Sequence, residues 1–319
     1  MGFNLENYWV WDFWLADDGV QYHLFYLHAP KTLGNPDLRH RNARIGHATS
    51  ADLRHWTDHG RAFDAGTPGS FDGSATWTGS VVRGPDGLWR MFYTGSRFLA
   101  PDSNANIETV GAATSPDLFA WTKQAGPLCV ADARWYETLG TSSWPEEAWR
   151  DPWVFWRADD RLWHMLITAR GQDGAEPDRG VMAHATSPDL ESWTVQAPLS
   201  QTGAGFAHLE VFQVVTIEGR NHLVFCCDSA KLVGPRAGQV GGVWSLPVGD
   251  MPGQVDFRQA RLLVEERLYA GRIAIDRDGA PWLLAFHNSD ADGAFIGGIS
   301  APLAIVVDQD GYLAVETGR

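Results

Sequence analysis

Hydrophobic positions in this chain fall into short runs, rich in aromatic and branched residues and closed by small or polar ones. Five of them are Gln21–Leu27, Leu88–Tyr93, Leu162–Ile167, Asn221–Cys226 and Pro281–Phe286. Their composition and length predict β-strands. The first three lead into one recurring phrase, A-T-S-x-D-L-x-x-W-T, at Ala48–Thr57, Ala113–Thr122 and Ala185–Thr194. The last two lead instead into Gly241–Ser245 and Gly297–Ser300. Self-similarity at so long a period marks one supersecondary unit repeated in space. Five units share the chain at roughly 64 residues each, enough for four strands and their turns.

The phrase itself predicts a mechanical part. Ala-Thr-Ser ends a strand, and the Asp accepts hydrogen bonds from backbone N–H groups to close the turn. Pro116 and Pro188 fix φ there. Trp-Thr then opens the outermost strand, with the indole covering that unit's edge. A unit this small cannot bury its own apolar face and must pack on its neighbours. The fold expected is therefore all-β: a five-bladed β-propeller with four antiparallel strands per blade. An all-β sandwich is the competing architecture, and three near-identical copies count against it. The segment Pro145–Ala148 reads as a short helical turn, and Ala100–Asn106 and Gly171–Arg179 read as loops.

Composition narrows the class. The 44% hydrophobic and 20% charged content of the 319 residues fits a folded core, and no linker or low-complexity tract divides it. One domain over residues 1–319 is expected. Net charge is −14, which argues against nucleic acid or an anionic membrane as partner. No window approaches a membrane span. The first residues, Met1–Glu6, lack the basic and apolar regions of a signal peptide, so a cytoplasmic location is expected. Cys129, Cys226 and Cys227 show no metal-ligand spacing and read as reduced structural thiols. No cofactor or metal is expected. Most of the 16 tryptophans are expected in the core, with exposed ones free to stack on sugar rings.

In a propeller the innermost strand of each blade faces the axis, and three acidic residues fall at or near such strands. Asp12 lies in Tyr8–Trp14, flanked by aromatic surface that makes a carboxylate costly to bury unless a polar or cationic partner meets it. A strand-end aspartate bonded to backbone is the competing reading. Asp151 precedes Pro152, which pushes it into an extended shape; a strand-entry turn would do the same. Glu210 interrupts the strand formers of Ala207–Val215, where a glutamate fits poorly unless it faces outward or serves a site. Two carboxylates facing a sugar are the basic arrangement for glycoside cleavage, and a third can steady the developing positive charge.

These segments resemble the glycoside hydrolase clan of families 32 and 68, the invertase/inulinase and levansucrase families. Val10–Trp14 resembles the V-W-D-x-W nucleophile segment of family 68. Arg150-Asp151-Pro152 matches the R-D-P motif of both families, and Glu210 stands where they place an acid/base glutamate. Trp77-Thr78-Gly79-Ser80 resembles the W-S-G-S segment that lines the fructosyl site. Leu268-Tyr269-Ala270 is similar to the Y-A segment of the family 32 fifth blade. The family 32 form W-M-N-D-P-N is absent, which sets the nucleophile segment nearer family 68, and a propeller without the C-terminal β-sandwich of family 32 is expected.

The resemblance implies a retaining β-fructofuranosidase or fructosyltransferase acting on sucrose or short fructo-oligosaccharides, a small carbohydrate being the partner. Asp12 would be nucleophile, Glu210 acid/base, and Asp151 transition-state stabiliser. Trp11, Trp77, Ser80, Trp149, Arg150 and Tyr269 would meet the sugar, with a structural salt bridge the equal alternative for Arg150 and a core position for the tryptophans. An inverting arabinofuranosidase or xylosidase of the family 43 type, and a non-catalytic sugar-binding propeller, are the rival functions.

Overall fold

The computed structural model describes residues 2–316. Its strands form five sheets, each built on four antiparallel strands ordered as the chain runs. Blade 1 comprises Tyr8–Asp17, Tyr22–Pro30, Arg44–Ser50 and Thr57–Phe63. Blade 2 comprises Ala75–Arg83, Trp89–Phe98, Asn106–Ser115 and Thr122–Lys123. Trp149–Arg157, Leu162–Arg170, Gly180–Ser187 and Thr194–Gln196 form blade 3. Blade 4 is Glu210–Ile217, Arg220–Cys227, Gly242–Val248 and Arg261–Glu265; blade 5 is Leu268–Ile275, Pro281–His287, Leu303–Val307 and Leu313–Val315. The five first strands pack side by side in a ring that closes from blade 5 onto blade 1. Phe3 helps clasp the ring, exchanging backbone hydrogen bonds with Ile299 at 3.0 and 2.7 Å. This is the five-bladed β-propeller.

The recurring phrase is the turn between third and fourth strands. Asp117 Oδ1 accepts from the N–H groups of Phe119 (2.9 Å) and Ala120 (2.8 Å). Asp52 and Asp189 make the same pair of bonds. One feature of the phrase is not visible in its composition. Leu53, Leu118 and Leu190 all take a left-handed backbone, with φ of 62°, 68° and 67°. Such a conformation is costly for leucine. Here each side chain is buried, so apolar packing offsets the local strain.

One local expectation is corrected. Pro145–Ala148 is not helical: Glu146–Glu147 is extended and pairs in parallel with Asn106 and Ile107. In blade 5, Gly297–Ser300 precedes the third strand, which begins at Leu303. The φ values of Gly297 (76°) and Gly298 (91°) break the strand and hand Ile299 to both Phe3 and Phe286.

The first strands share a device that sets the site. Each slips register at a β-bulge: between Val10 and Phe13, Trp77 and Gly79, Arg150 and Trp153, Glu210 and Gln213, and Tyr269 and Arg272. A bulge breaks the two-residue alternation and re-aims side chains. At Asp151, Val211 and Ala270 the bulge forces φ to 59°, 59° and 48°.

Candidate active site

The bulges of all five blades converge on one cavity of about 320 Å³ at one end of the axis. Asp12, Asp151 and Glu210 line it, from blades 1, 3 and 4, with Trp11, Trp77, Arg150 and Tyr269. A second space of about 430 Å³ shares Trp77, Arg150, His208 and Glu210 with the first and continues outward past Trp144 and Lys231. Asp12 and Asp151 line only the inner space; Glu210 stands at the junction.

Each carboxylate has distinct partners. Thr78 Oγ1 donates to Asp12 Oδ2 at 2.6 Å. Thr168 Oγ1 (3.0 Å) and the Val211 N–H (3.3 Å) donate to Asp151 Oδ2. Glu210 is held on both oxygens: Arg150 Nη2 donates to Oε1 at 2.8 Å and Tyr269 Oη to Oε2 at 2.6 Å. Arg150 is the hub. Its Nη1 donates to Glu108 Oε2 (2.9 Å) and Glu146 Oε1 (3.2 Å), its Nη2 also to His208 Nδ1 (2.9 Å), and its Nε lies 3.7 Å from Asp151 Oδ2.

These environments pull the acids apart. Burial lifts Asp12 to about 6, against the Thr78 hydrogen bond, with the Glu210 charge adding to the rise. Burial likewise lifts Asp151 to about 7, although Arg150 opposes it. Burial acts to raise Glu210 too, but His208, Arg150 and Tyr269 outweigh it and hold the carboxyl at about 2. His208 is itself depressed by burial to about 4. At neutral pH it is uncharged, and the restraint on Glu210 falls to Arg150 and Tyr269. Of the three, then, Glu210 is the member held ionised, and Asp151, followed by Asp12, keeps a proton more readily.

Two expected sugar contacts are corrected. Trp149 is fully buried, edge-on to Tyr136 with ring centroids 4.9 Å apart, and does not line the cavity. Neighbours on a strand face opposite ways, and Arg150 takes the cavity side. Ser80 is also outside: its Oγ accepts from the Val154 N–H at 3.1 Å and ties blade 2 to blade 3. The bulge between Trp77 and Gly79 turns Thr78, not Ser80, toward Asp12. A Cβ on Gly79 would stand 2.0 Å from the Phe92 carbonyl oxygen, so the bulge needs glycine there.

Other lining residues escaped sequence reasoning. Arg39 and His40 come from the short 3₁₀ helix Pro36–Asn42, which has no hydrophobic periodicity to mark it. Asp228 follows a strand end, and His208 precedes Glu210 by two residues. Glu108 did carry a signal. It is a glutamate among strand formers in Asn106–Ser115, the same feature that singles out Glu210.

The fold and this cluster of carboxylates define a propeller glycosidase scaffold, and comparison with known proteins gives its family. A family model of the glycosyl hydrolases family 32 N-terminal domain matches residues 15–248. The chain belongs to this family. The match contains Asp151 and Glu210 and begins just past Asp12, whose segment departs from the family 32 form. An insoluble isoenzyme of β-fructofuranosidase from Arabidopsis thaliana is 28% identical over 231 residues, covering 69% of this chain and 38% of that protein. Sucrose-6-phosphate hydrolase of Escherichia coli is 26% identical over 279 residues, covering 83% of this chain and 51% of that protein. The chain thus spans about half or less of the length of these relatives. Among solved structures, the kestose-bound inulosucrase of Halalkalicoccus jeotgali superposes with a TM-score of 0.81 at 20% identity, covering 97% of this chain and 87% of that one. A levansucrase variant of B. megaterium gives 0.72 at 14% identity, covering 98% and 85%. At such identities these structures establish a common fold.

Proposed function

We propose that this chain cleaves β-fructofuranosides such as sucrose or short fructo-oligosaccharides, with retention, through a covalent fructosyl-aspartate. One observation carries the reading: three blades deliver Asp12, Asp151 and Glu210 to a single cavity, in which only Glu210 also faces the outer space. The fructosyl unit occupies the inner space and the leaving sugar the outer one. Asp12 attacks the anomeric C2 as the bond to the leaving oxygen breaks, and Glu210 gives its proton to that oxygen. Asp151 bonds fructosyl hydroxyls and steadies the oxocarbenium charge. Glu210 then takes a proton from water or an acceptor hydroxyl, whose oxygen displaces Asp12 from C2.

The chemistry needs the proton on Glu210, whereas the surroundings of the three acids favour it on Asp151 or Asp12. Substrate supplies the reversal. Sugar hydroxyls donating to Asp12 and Asp151 stabilise their ionised forms, and a leaving sugar over Glu210 strips its remaining water and favours its neutral form. Both effects move the proton toward the leaving group.

The test is incubation with sucrose followed by measurement of free glucose and fructose. Equal release marks hydrolysis, and excess glucose marks transfer. Sugar binding without release would make the chain a non-catalytic propeller. The buried free thiols of Cys129, Cys226 and Cys227 support a reducing compartment such as the cytoplasm, which cell fractionation would check.

A further inference from the structure

Beneath the site lies a charge that the reaction scheme leaves unused. Arg272 belongs to blade 5, is 1% exposed, and extends across the propeller axis just past the bulge after Tyr269. Its guanidinium reaches every other blade. Nε donates to the Phe13 carbonyl of blade 1 at 3.4 Å, and Nη2 to the Gly79 carbonyl of blade 2 at 3.5 Å. Nη1 donates to the Val211 (3.3 Å) and Phe212 (2.5 Å) carbonyls of blade 4. The ring of Trp153, from blade 3, lies under it with the centroid 5.2 Å away. It also lines a separate cavity of about 250 Å³ at the opposite end of the axis, with Leu15, Trp153 and Gln213. Arg272 is thus the plug between that basal cavity and the floor of the active site.

Every hydrogen bond it makes among the described residues goes to a backbone carbonyl, which satisfies its donors but not its charge. A buried guanidinium without a contacting carboxylate is expensive, and an apolar side chain would close the channel at lower cost. The nearest acids that feel it are Asp12 and Asp151. We propose that Arg272 is a positioning residue of the active site, a single guanidinium tied to all five blades that supplies the counter-charge beneath Asp12 and Asp151 and fixes the carbonyls at the bulges of blades 1, 2 and 4.

The rest of the surroundings explain why such a charge is needed. Around Asp12 stand the neutral Thr78 hydroxyl, the like charges of Glu210 and Asp151, the Arg39 guanidinium, and the buried Cys226 thiol, which stays protonated. Arg150 serves Glu210, Glu108 and Glu146 and also reaches Asp151, leaving Arg272 and Arg39 as the cations acting on Asp12. Burial lowers Arg272 to about 10, so it stays charged at neutral pH.

The inference rests on the reading of Asp12 as nucleophile only for its catalytic consequence, and the experiment separates the two. Full-length wild type, R272M, R272Q and R272K, labelled with ¹³Cγ-aspartate, are titrated by NMR, with the Asp12 signal assigned from D12N; sucrose turnover is followed in parallel. Expected is an upward displacement of the Asp12 midpoint by roughly one unit in R272M and R272Q, and its return toward wild type in R272K. R272Q keeps amide donors for the carbonyls and serves if R272M does not fold. An Asp12 midpoint unchanged in the neutral variants, with only the melting temperature lowered, would make Arg272 a purely structural axle and overturn the proposal. A displaced midpoint in a wild type that does not turn over sucrose would leave the proposal standing and refute the fructosidase reading instead.

Discussion

Arg150 Nη2 donates to Glu210 Oε1 at 2.8 Å while Nη1 of the same guanidinium donates to the fully buried Glu108 at 2.9 Å. One cation therefore fixes the acid/base candidate and holds a glutamate with no access to water. Glu108 is lifted by burial to about 8 even with Arg150 beside it. Replacing the guanidinium in R150M strands both carboxylates, and breaking a buried pair costs roughly 3–5 kcal/mol. Protonation relieves that cost, so urea unfolding should show a larger loss for R150M at pH 9 than at pH 6. A loss independent of pH would contradict the paired-charge account.

Tyr269 bears on the other oxygen of Glu210. Its hydrogen bond favours the carboxylate, so Y269F should raise the Glu210 midpoint and carry the alkaline limb of kcat to higher pH. Loss of a bond to a charged group, worth about 1.5–3 kcal/mol, should lower kcat/KM by roughly tenfold to a hundredfold. An unmoved alkaline limb in the Y269F pH profile would remove Tyr269 from the acid/base machinery.

Asp12 should show the cost of function in stability. Its folded pKa of about 6 exceeds the 3.8 of a free aspartate, so the folded state binds the proton more tightly. Its contribution is fully present below pH 3.8 and is lost as pH rises through 6. The difference corresponds to about 3 kcal/mol at alkaline pH. D12N should therefore unfold at higher urea than wild type at pH 8, converge with it below pH 4, and lose turnover throughout. Equal stability at both pH values would mean that Asp12 is not strained by burial.

The repeated phrase predicts the opposite behaviour. Asp117 closes its turn far from the cavity, and D117A should cost about 1 kcal/mol in thermal unfolding. Its kcat/KM on sucrose should match wild type. A changed kcat/KM would mean that the outer turns reach the chemistry.

The architecture was legible because its signals are local. Strand composition and the turn chemistry of Asp52, Asp117 and Asp189 state the repeat directly, and a blade cannot stand alone. Asp12 and Glu210 stood out as polar residues in places where strand physics disfavours them, and Asp151 stood out through the R-D-P motif. What remained hidden depends on register. Bulges decide that Thr78 rather than Ser80, and Arg150 rather than Trp149, meets the cavity, and no composition marks a bulge. Arg39 and His40 arrive on a short 3₁₀ helix between the second and third strands of blade 1. Arg272 was hidden most deeply, because its importance lies in reaching four other blades at once, separations that appear only when the ring is closed.

The central claim, retention through Asp12, is tested most directly by letting the enzyme act on sucrose in aqueous methanol and determining the anomer of the methyl fructofuranoside by NMR. Two displacements at C2, the first by Asp12, predict the β-anomer. The α-anomer would mean a single displacement and would contradict the account.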